Sequence, residues 1–139
     1  MSTKINDCKL IVFAKHNEDH RGCLSVIENS KQIPFDIKRV YYLYDIPSGE
    51  SRAGHAHHEL QQLIIALSGS FDILINDGNT SKTITLNRPN VGLLLQPGIW
   101  RDINNFSSGA VCLVLASEKY NKQDYIRDFH EFELWKKQH

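Results

Sequence analysis

Arg52-Ala53-Gly54-His55-Ala56-His57-His58-Glu59-Leu60-Gln61-Gln62 sets two histidines two residues apart, just ahead of an apolar run, Leu63-Ile64-Ile65-Ala66-Leu67. Along a strand, residues i and i+2 point to one face. His55 and His57 therefore aim both imidazoles at the same side of a sheet, and His58 points the other way. If that side is the inside of a barrel, two titratable groups share one cavity. They can then hold a metal, move protons or pack.

Outward from this stretch the chain reads as short strands broken by turns. Strands are predicted over residues 9–13, 23–28, 35–44, 63–67, 70–76, 82–86, 91–96, 99–103 and 110–116, from β-branched and aromatic runs and apolar alternation. Asn17-Glu18-Asp19-His20-Arg21-Gly22 is a turn, and Ser68-Gly69 reads as a two-residue hairpin turn. In residues 35–44 the odd positions Phe35, Ile37, Arg39, Tyr41 and Leu43 share a face. Residues 110–116 are wholly apolar, which predicts an interior strand. Residues 122–137 lack Gly and Pro and space Tyr125, Phe129, Phe132 and Trp135 as a helix does, with Asp124 or Asn121 as its cap. Many short strands followed by one helix predict an all-β jelly-roll barrel with a C-terminal helix.

The chain has 139 residues, which predicts a single domain over 1–139. Sixteen Lys+Arg balance sixteen Asp+Glu, and without a basic stripe nucleic acid is not an expected partner. Cys8, Cys23 and Cys112 form no CxxC, so they read as thiols in a reducing cytosol. No apolar run approaches the ~18 residues of a membrane helix, and MSTKINDCKL lacks a signal-peptide core. A cytoplasmic protein without membrane contact is expected.

The first cupin motif is written G-x5-H-x-H-x3–4-E-x6-G. Here Gly49, His55, His57, Gln62 and Gly69 keep every spacing, with Gln62 in place of the glutamate. The second motif, G-x5-P-x-G-x2-H-x3-N, is approached by Gly92, Pro97-Gly98, Arg101 and Asn105, with Arg101 in place of the histidine. Glutamine is a weak ligand, and arginine has no lone pair to give and repels a divalent ion. No metal is expected, and His55 and His57 are left for acid–base work.

The segments IPFDIKRVYYLYDI, RAGHAHHELQQLIIALSGS, VGLLLQPGIWRDINNFSSG and VLASEKYNKQDYIRDF resemble the WxcM-like (FdtA/QdtA) family of cupin sugar 3,4-ketoisomerases, over about residues 9–129. One departure is Ala53-Gly54, where the family places the glycine directly after the arginine. The resemblance implies an isomerase that moves the ketone of dTDP-4-keto-6-deoxy-D-glucose from C4 to C3, for 3-amino-3,6-dideoxysugar synthesis. It also implies a homodimer with strands shared between subunits.

That reaction removes a proton beside a carbonyl, passes through an enediolate and returns a proton to the former carbonyl carbon. It needs a base, donors at the developing oxyanion and no redox cofactor. His57 is expected as the base at C3, with His55 protonating or orienting the sugar, although the two can exchange roles. Tyr41 and Arg39 read onto the inward face. With Gln62 and Arg101 they are candidate donors to the enediolate. Arg21, Arg52 and Arg88 are candidates for the diphosphate. Arg21, at the family's early arginine or aromatic position, and Arg101 are also candidate determinants of C4 stereochemistry. His16, His20, His58, His130 and His139 read as surface residues, and Trp100 as packing. The alternatives are a non-catalytic sugar-nucleotide-binding cupin, a cupin 3,5-epimerase and a metal-dependent cupin oxygenase.

Overall fold

Alternation alone builds the strand Phe71–Asn76: Phe71, Ile73 and Ile75 are buried and the residues between them are half-buried. The computed structural model describes residues 2–17 and 19–139. The predicted turn at residues 17–22 contains Glu18, which lies outside the described residues.

In chain order the strands are β1 (Lys9–Val12), β2 (His16–Asn17), β3 (Cys23–Leu24), β4 (Arg39–Leu43), β5 (Arg52–His57), β6 (Gln62–Ser68), β7 (Phe71–Asn76), β8 (Ser81–Leu86), β9 (Val91–Leu95), β10 (Trp100–Asn104), β11 (Val111–Ala116) and β12 (Tyr125–Ile126), followed by helix α1 (Phe129–Gln138). Two five-stranded antiparallel sheets, in the orders β1-β9-β6-β11-β4 and β12-β5-β10-β7-β8, face each other as a jelly roll. Among the described residues β2 and β3 pair only with each other. The apolar β11 lies between β6 and β4, as its composition predicts.

The main core lies between the sheets, where Ile64, Leu93, Leu95 and Val114 meet Phe71, Ile73, Ile75 and Ile103. Burying each such side chain contributes roughly 1.5–3 kcal/mol. A second cluster covers the outer face of the first sheet, where Phe13, Ile33 and Phe35 lie over Leu63, Ile65, Leu94 and Leu115.

Four sequence expectations are corrected. Residues 23–28 form a strand only at Cys23–Leu24. Beyond them, side chains rather than a ladder satisfy the backbone: Gln32 Oε1 takes the Glu28 N–H at 2.7 Å and Asn29 Oδ1 takes the Ile37 N–H at 2.9 Å. β4 starts at Arg39, so Arg39, Tyr41 and Leu43 keep the inward face while Phe35 and Ile37 belong to the outer cluster. Ser68-Gly69 is not a hairpin turn, because β6 and β7 lie in opposite sheets. At that crossing Gly69 has φ +68°, and a Cβ there would collide with Ser107 Oγ and Ala110.

The fourth correction concerns the C-terminal helix, which starts at Phe129 rather than near 122. Asp128 caps it by accepting the Glu131 N–H at 3.0 Å. Lys122–Asp124 is instead a 3₁₀ turn capped by Asn121, which accepts from the Gln123 N–H at 3.1 Å. α1 buries Phe132 against Ala56, Trp100 and Ile126. Lys136 Nζ pins the helix by donating to the carbonyls of Gly98 and Thr3 at 2.7 and 2.6 Å. Among the described residues no helix is long and apolar enough to cross a membrane.

Candidate active site

β4 is the edge of its sheet, and beside it opens a cavity of 380 Å³. Arg39, Tyr41 and Leu43 reach it from β4, and Arg52, Ala53 and His55 from β5. Ile103 and Val114 form part of its wall, and Tyr120, Tyr125 and Arg127 close it from the segment after β11. β5 is bent where it enters the site. Ala53 and Gly54 have φ of +74° and +71°, opposite a register shift between Arg101 and Asp102. This is how the Ala53-Gly54 sequence is accommodated while His55 and His57 stay on one face.

Register brings the rings together. His55 stands opposite Arg101 of β10, and His57 opposite Tyr125 of β12. The two imidazoles lie edge to face with centroids 4.8 Å apart, and Tyr125 lies 4.9 Å from His55 and 4.4 Å from His57. His57 is 0% exposed, and its Nδ1 lies 3.0 Å from Asp124 Oδ2. Asp124 Oδ1 accepts the Glu59 N–H at 2.8 Å, and the Asp124 carbonyl accepts the His58 N–H at 3.0 Å. Nε2 of both histidines, and Nε and Nη2 of Arg39, are buried without a hydrogen-bond partner among the described residues. Buried polar atoms are usually satisfied, so four such atoms around one cavity mark a ligand site. The Arg39 guanidinium carbon sits 5.2 and 5.6 Å from the ring centroids of Tyr41 and Tyr120.

Behind the cavity runs a hydrogen-bonded chain. Arg101, 1% exposed, donates through Nη1 to Gln62 Oε1 at 2.5 Å, and through Nε and Nη2 to the Ile99 carbonyl at 3.2 and 3.0 Å. Gln62 Nε2 donates to Tyr41 Oη at 3.1 Å. Arginine only donates, so the Gln62 oxygen must face Arg101 and its amide nitrogen must face Tyr41. The phenol oxygen therefore accepts from Gln62, and its own proton is left for the cavity.

Burial, and then the Arg101 charge, lower the His55 pKa to about 3, against a smaller opposing effect of the Ala53 carbonyl. The same two causes, with His55 third, lower that of His57. Both imidazoles are neutral bases near pH 7. Burial raises the Tyr41 phenol, with the Gln62 hydrogen bond opposing. Burial lowers Arg101 to about 10, with Tyr41 opposing, which leaves a cation at neutral pH.

The donor set does not fit a metal. In the ligand positions of the two motifs, Gln62 Oε1 is engaged by a guanidinium and Arg101 has no lone pair. A divalent ion on the histidines would face that cation across the site.

The structure gathers His55, Tyr41, Arg39 and Arg52 on one cavity, with His57, Gln62 and Arg101 directly behind it. Arg21 is not among them. It is exposed on the β2–β3 arm, which leaves from β1, the opposite edge of the sheet from β4. Arg88 lines a separate groove. Sequence reasoning missed Asp124, Tyr125, Arg127 and Tyr120. For residues 124–127 the signal is a period of two, with Asp124 and Ile126 buried and Tyr125 and Arg127 on the cavity, and it does not extend to Tyr120.

Residues 6–137 match the family described as FdtA, WxcM-like, C-terminal. The chain is 43% identical over 135 residues to a TDP-4-oxo-6-deoxy-alpha-D-glucose-3,4-oxoisomerase of Aneurinibacillus thermoaerophilus, covering 97% of this chain and 93% of that protein. Its fold matches the crystal structure of a 3,4-ketoisomerase from Helicobacter canadensis with a TM-score of 0.91 at 49% identity, covering 94% and 98% of the two chains. It also matches a histidine-to-asparagine mutant of the 3,4-ketoisomerase QdtA from Thermoanaerobacterium thermosaccharolyticum in complex with TDP-4-keto-6-deoxyglucose. There the TM-score is 0.93 at 39% identity, covering 97% of each chain.

Proposed function

The chain belongs to the WxcM-like FdtA family, and from that premise we propose that it is a sugar-nucleotide 3,4-ketoisomerase that moves the ketone of TDP-4-keto-6-deoxy-D-glucose from C4 to C3. The observation that carries this reading is the convergence of two neutral, partner-free imidazole nitrogens and one phenol proton at a cavity edged by Arg39, Arg52 and Arg127. The relatives act on TDP-linked keto-sugars, and arginines are suited to a diphosphate.

His55 lines the cavity, which favours it as the base at C3; His57 sits one ring deeper, 4.8 Å away, and its unpartnered Nε2 is assigned to a hydroxyl proton. His55 takes the C3 proton and returns it to C4. Tyr41 donates its proton to O4 as the enediolate forms, and His57 accepts the proton of the C3 hydroxyl. Passage of that proton back to Tyr41 resets the site. Two protons are taken, from C3 and O3, and two are given, to C4 and O4. Arg39 adds positive charge beside the developing oxyanion. Gln62 and Arg101 hold the Tyr41 proton in place.

Incubation with TDP-4-keto-6-deoxyglucose in deuterium oxide, read by proton NMR, tests this. The expected result is a C3 ketone, with deuterium exchange tied to turnover, and the C4 configuration in the same spectrum. Binding without exchange would make the protein a sugar-nucleotide-binding cupin, and exchange at both C3 and C5 a 3,5-epimerase.

A homodimer is part of the reading. The outer face of the first sheet carries a 430 Å³ groove lined by Phe13, Ile27, Ile37, Ile65 and Leu113, and Val12, Leu24, Val40, Tyr42 and Leu67 are exposed. Apolar surface and open strand edges of this kind favour pairing with a second copy. Arg21, on the arm at that side, would serve a substrate only across such a dimer. Light scattering on the eluting protein measures the mass. Action on a nucleotide sugar in deoxy-amino-sugar synthesis, and free thiols at Cys8 and Cys112, suit the cytoplasm.

A further inference from the structure

We propose that Asp124 is a positioning residue that holds His57 in the tautomer whose Nδ1 carries the proton, so that Nε2 keeps a bare lone pair in the site. The kinetic consequence rests on the ketoisomerase reading, whereas the tautomer rests on geometry alone.

The His57 Nδ1 to Asp124 Oδ2 contact is 3.0 Å long, between side chains that are 0% and 10% exposed. A carboxylate only accepts, so Nδ1 must donate. A neutral imidazole has one N–H, so Nε2 is unprotonated. The carboxylate cannot swing away. Its other oxygen holds the Glu59 N–H, its backbone carbonyl holds the His58 N–H, and the next residue, Tyr125, pairs with His57 across the β12–β5 ladder. Asp124 is thus fixed by the same backbone whose histidine it orients, although 67 positions separate the two residues.

The bare Nε2 can accept the proton of a sugar hydroxyl. The O–H bond breaks, an N–H bond forms, and the resulting imidazolium keeps its Nδ1–H on the Asp124 carboxylate. In the opposite tautomer Nε2–H would donate to that hydroxyl instead, and the step would stop.

Asp124→Asn tests this with little change of shape. The amide keeps an oxygen for the Glu59 N–H and turns its NH₂ to Nδ1, which must then accept, moving the His57 proton to Nε2. The expected results are a fall in kcat of about a hundredfold or more on TDP-4-keto-6-deoxyglucose, with KM changed less than about threefold. In ¹⁵N-resolved NMR the His57 proton should sit on Nδ1 in the wild type and on Nε2 in the variant. A merely structural role would lower stability without moving that proton. Asp124 loses its assignment if wild-type His57 carries its proton on Nε2, or if the folded variant retains kcat within about threefold. Should the variant not fold, the wild-type spectrum decides the tautomer. Absent turnover in the wild type would remove the ketoisomerase reading and leave that spectrum as a separate result.

Discussion

Arg101 donates from Nη1 to Gln62 Oε1, so a side-chain cation stands among residues that, in metal-binding cupins, would be ligands. Gln62 passes the orientation on, because the amide nitrogen left over faces Tyr41. One contact between two residues 39 positions apart in sequence thereby settles where a phenol proton points.

Restoring the cupin glutamate, Gln62→Glu, keeps the pairing with Arg101 but removes the N–H that Tyr41 accepts. The phenol then donates to the new carboxylate and its proton leaves the cavity. We expect kcat to fall about tenfold or more with the melting temperature preserved. Equal kcat in the two proteins would remove Tyr41 as the donor. Wild-type turnover should be unaffected by EDTA, since the proton donor to O4 is the Tyr41 phenol and not a metal-bound group.

Acid should destabilise the protein through its buried imidazoles. His55 is lowered to about 3, and His57 is also lowered, against about 6.5 for an unfolded histidine. Between those values the unfolded chain binds more protons, so stability is fully present above about pH 6.5 and is lost as pH falls toward 3. Urea titrations at pH 8 and pH 5 measure the loss. His55→Asn should lose less than the wild type between those two conditions.

Arg52 and Arg127 are exposed at the mouth of the cavity, and the Arg127 guanidinium carbon lies 4.1 Å from the centroid of the Tyr125 ring. Removing either should weaken substrate binding more than chemistry. We expect KM to rise about tenfold with kcat nearly unchanged, and the effect to shrink at high salt. A loss confined to kcat would place these arginines at the reacting carbons instead.

Ala53 holds a left-handed φ of +74° in the bend that sets up His55. Glycine adopts this conformation without the steric penalty of a Cβ, at some entropic cost in the unfolded chain. Ala53→Gly should therefore stabilise the fold by about 0.5–1 kcal/mol, raising the melting temperature by a few degrees. A lower melting temperature would show that the Cβ makes packing contacts worth more than the strain.

Much of the barrel was legible because its strands alternate or are wholly apolar, and the His55/His57 face follows from a period of two. Arg39 and Tyr41 were legible for the same reason. The Asp124 to Arg127 segment was not. Tyr125, Phe129, Phe132 and Trp135 are spaced as a helix, and that spacing conceals a two-residue strand whose partner is β5. Asp124 falls at the start of that helical spacing, where a side-chain acceptor suits a cap. Only the ladder brings it to His57. Arg101 holds a motif ligand position, and its full burial and bond to Gln62 set it behind the residues that line the cavity.

The β12–β5 ladder also bears on assembly during synthesis. Residues 9–116 contain the eleven described β-strands that precede β12, together with His55 and His57, and Asp124, Tyr125 and Arg127 emerge from the ribosome after all of them. A nascent barrel can thus close around its core before Asp124 and Tyr125 meet His57. The segment is clamped afterwards by Phe132 and by Lys136, which reaches back to the Thr3 carbonyl across 133 positions of sequence. The carboxylate that meets His57 therefore arrives only after the other strands of both sheets.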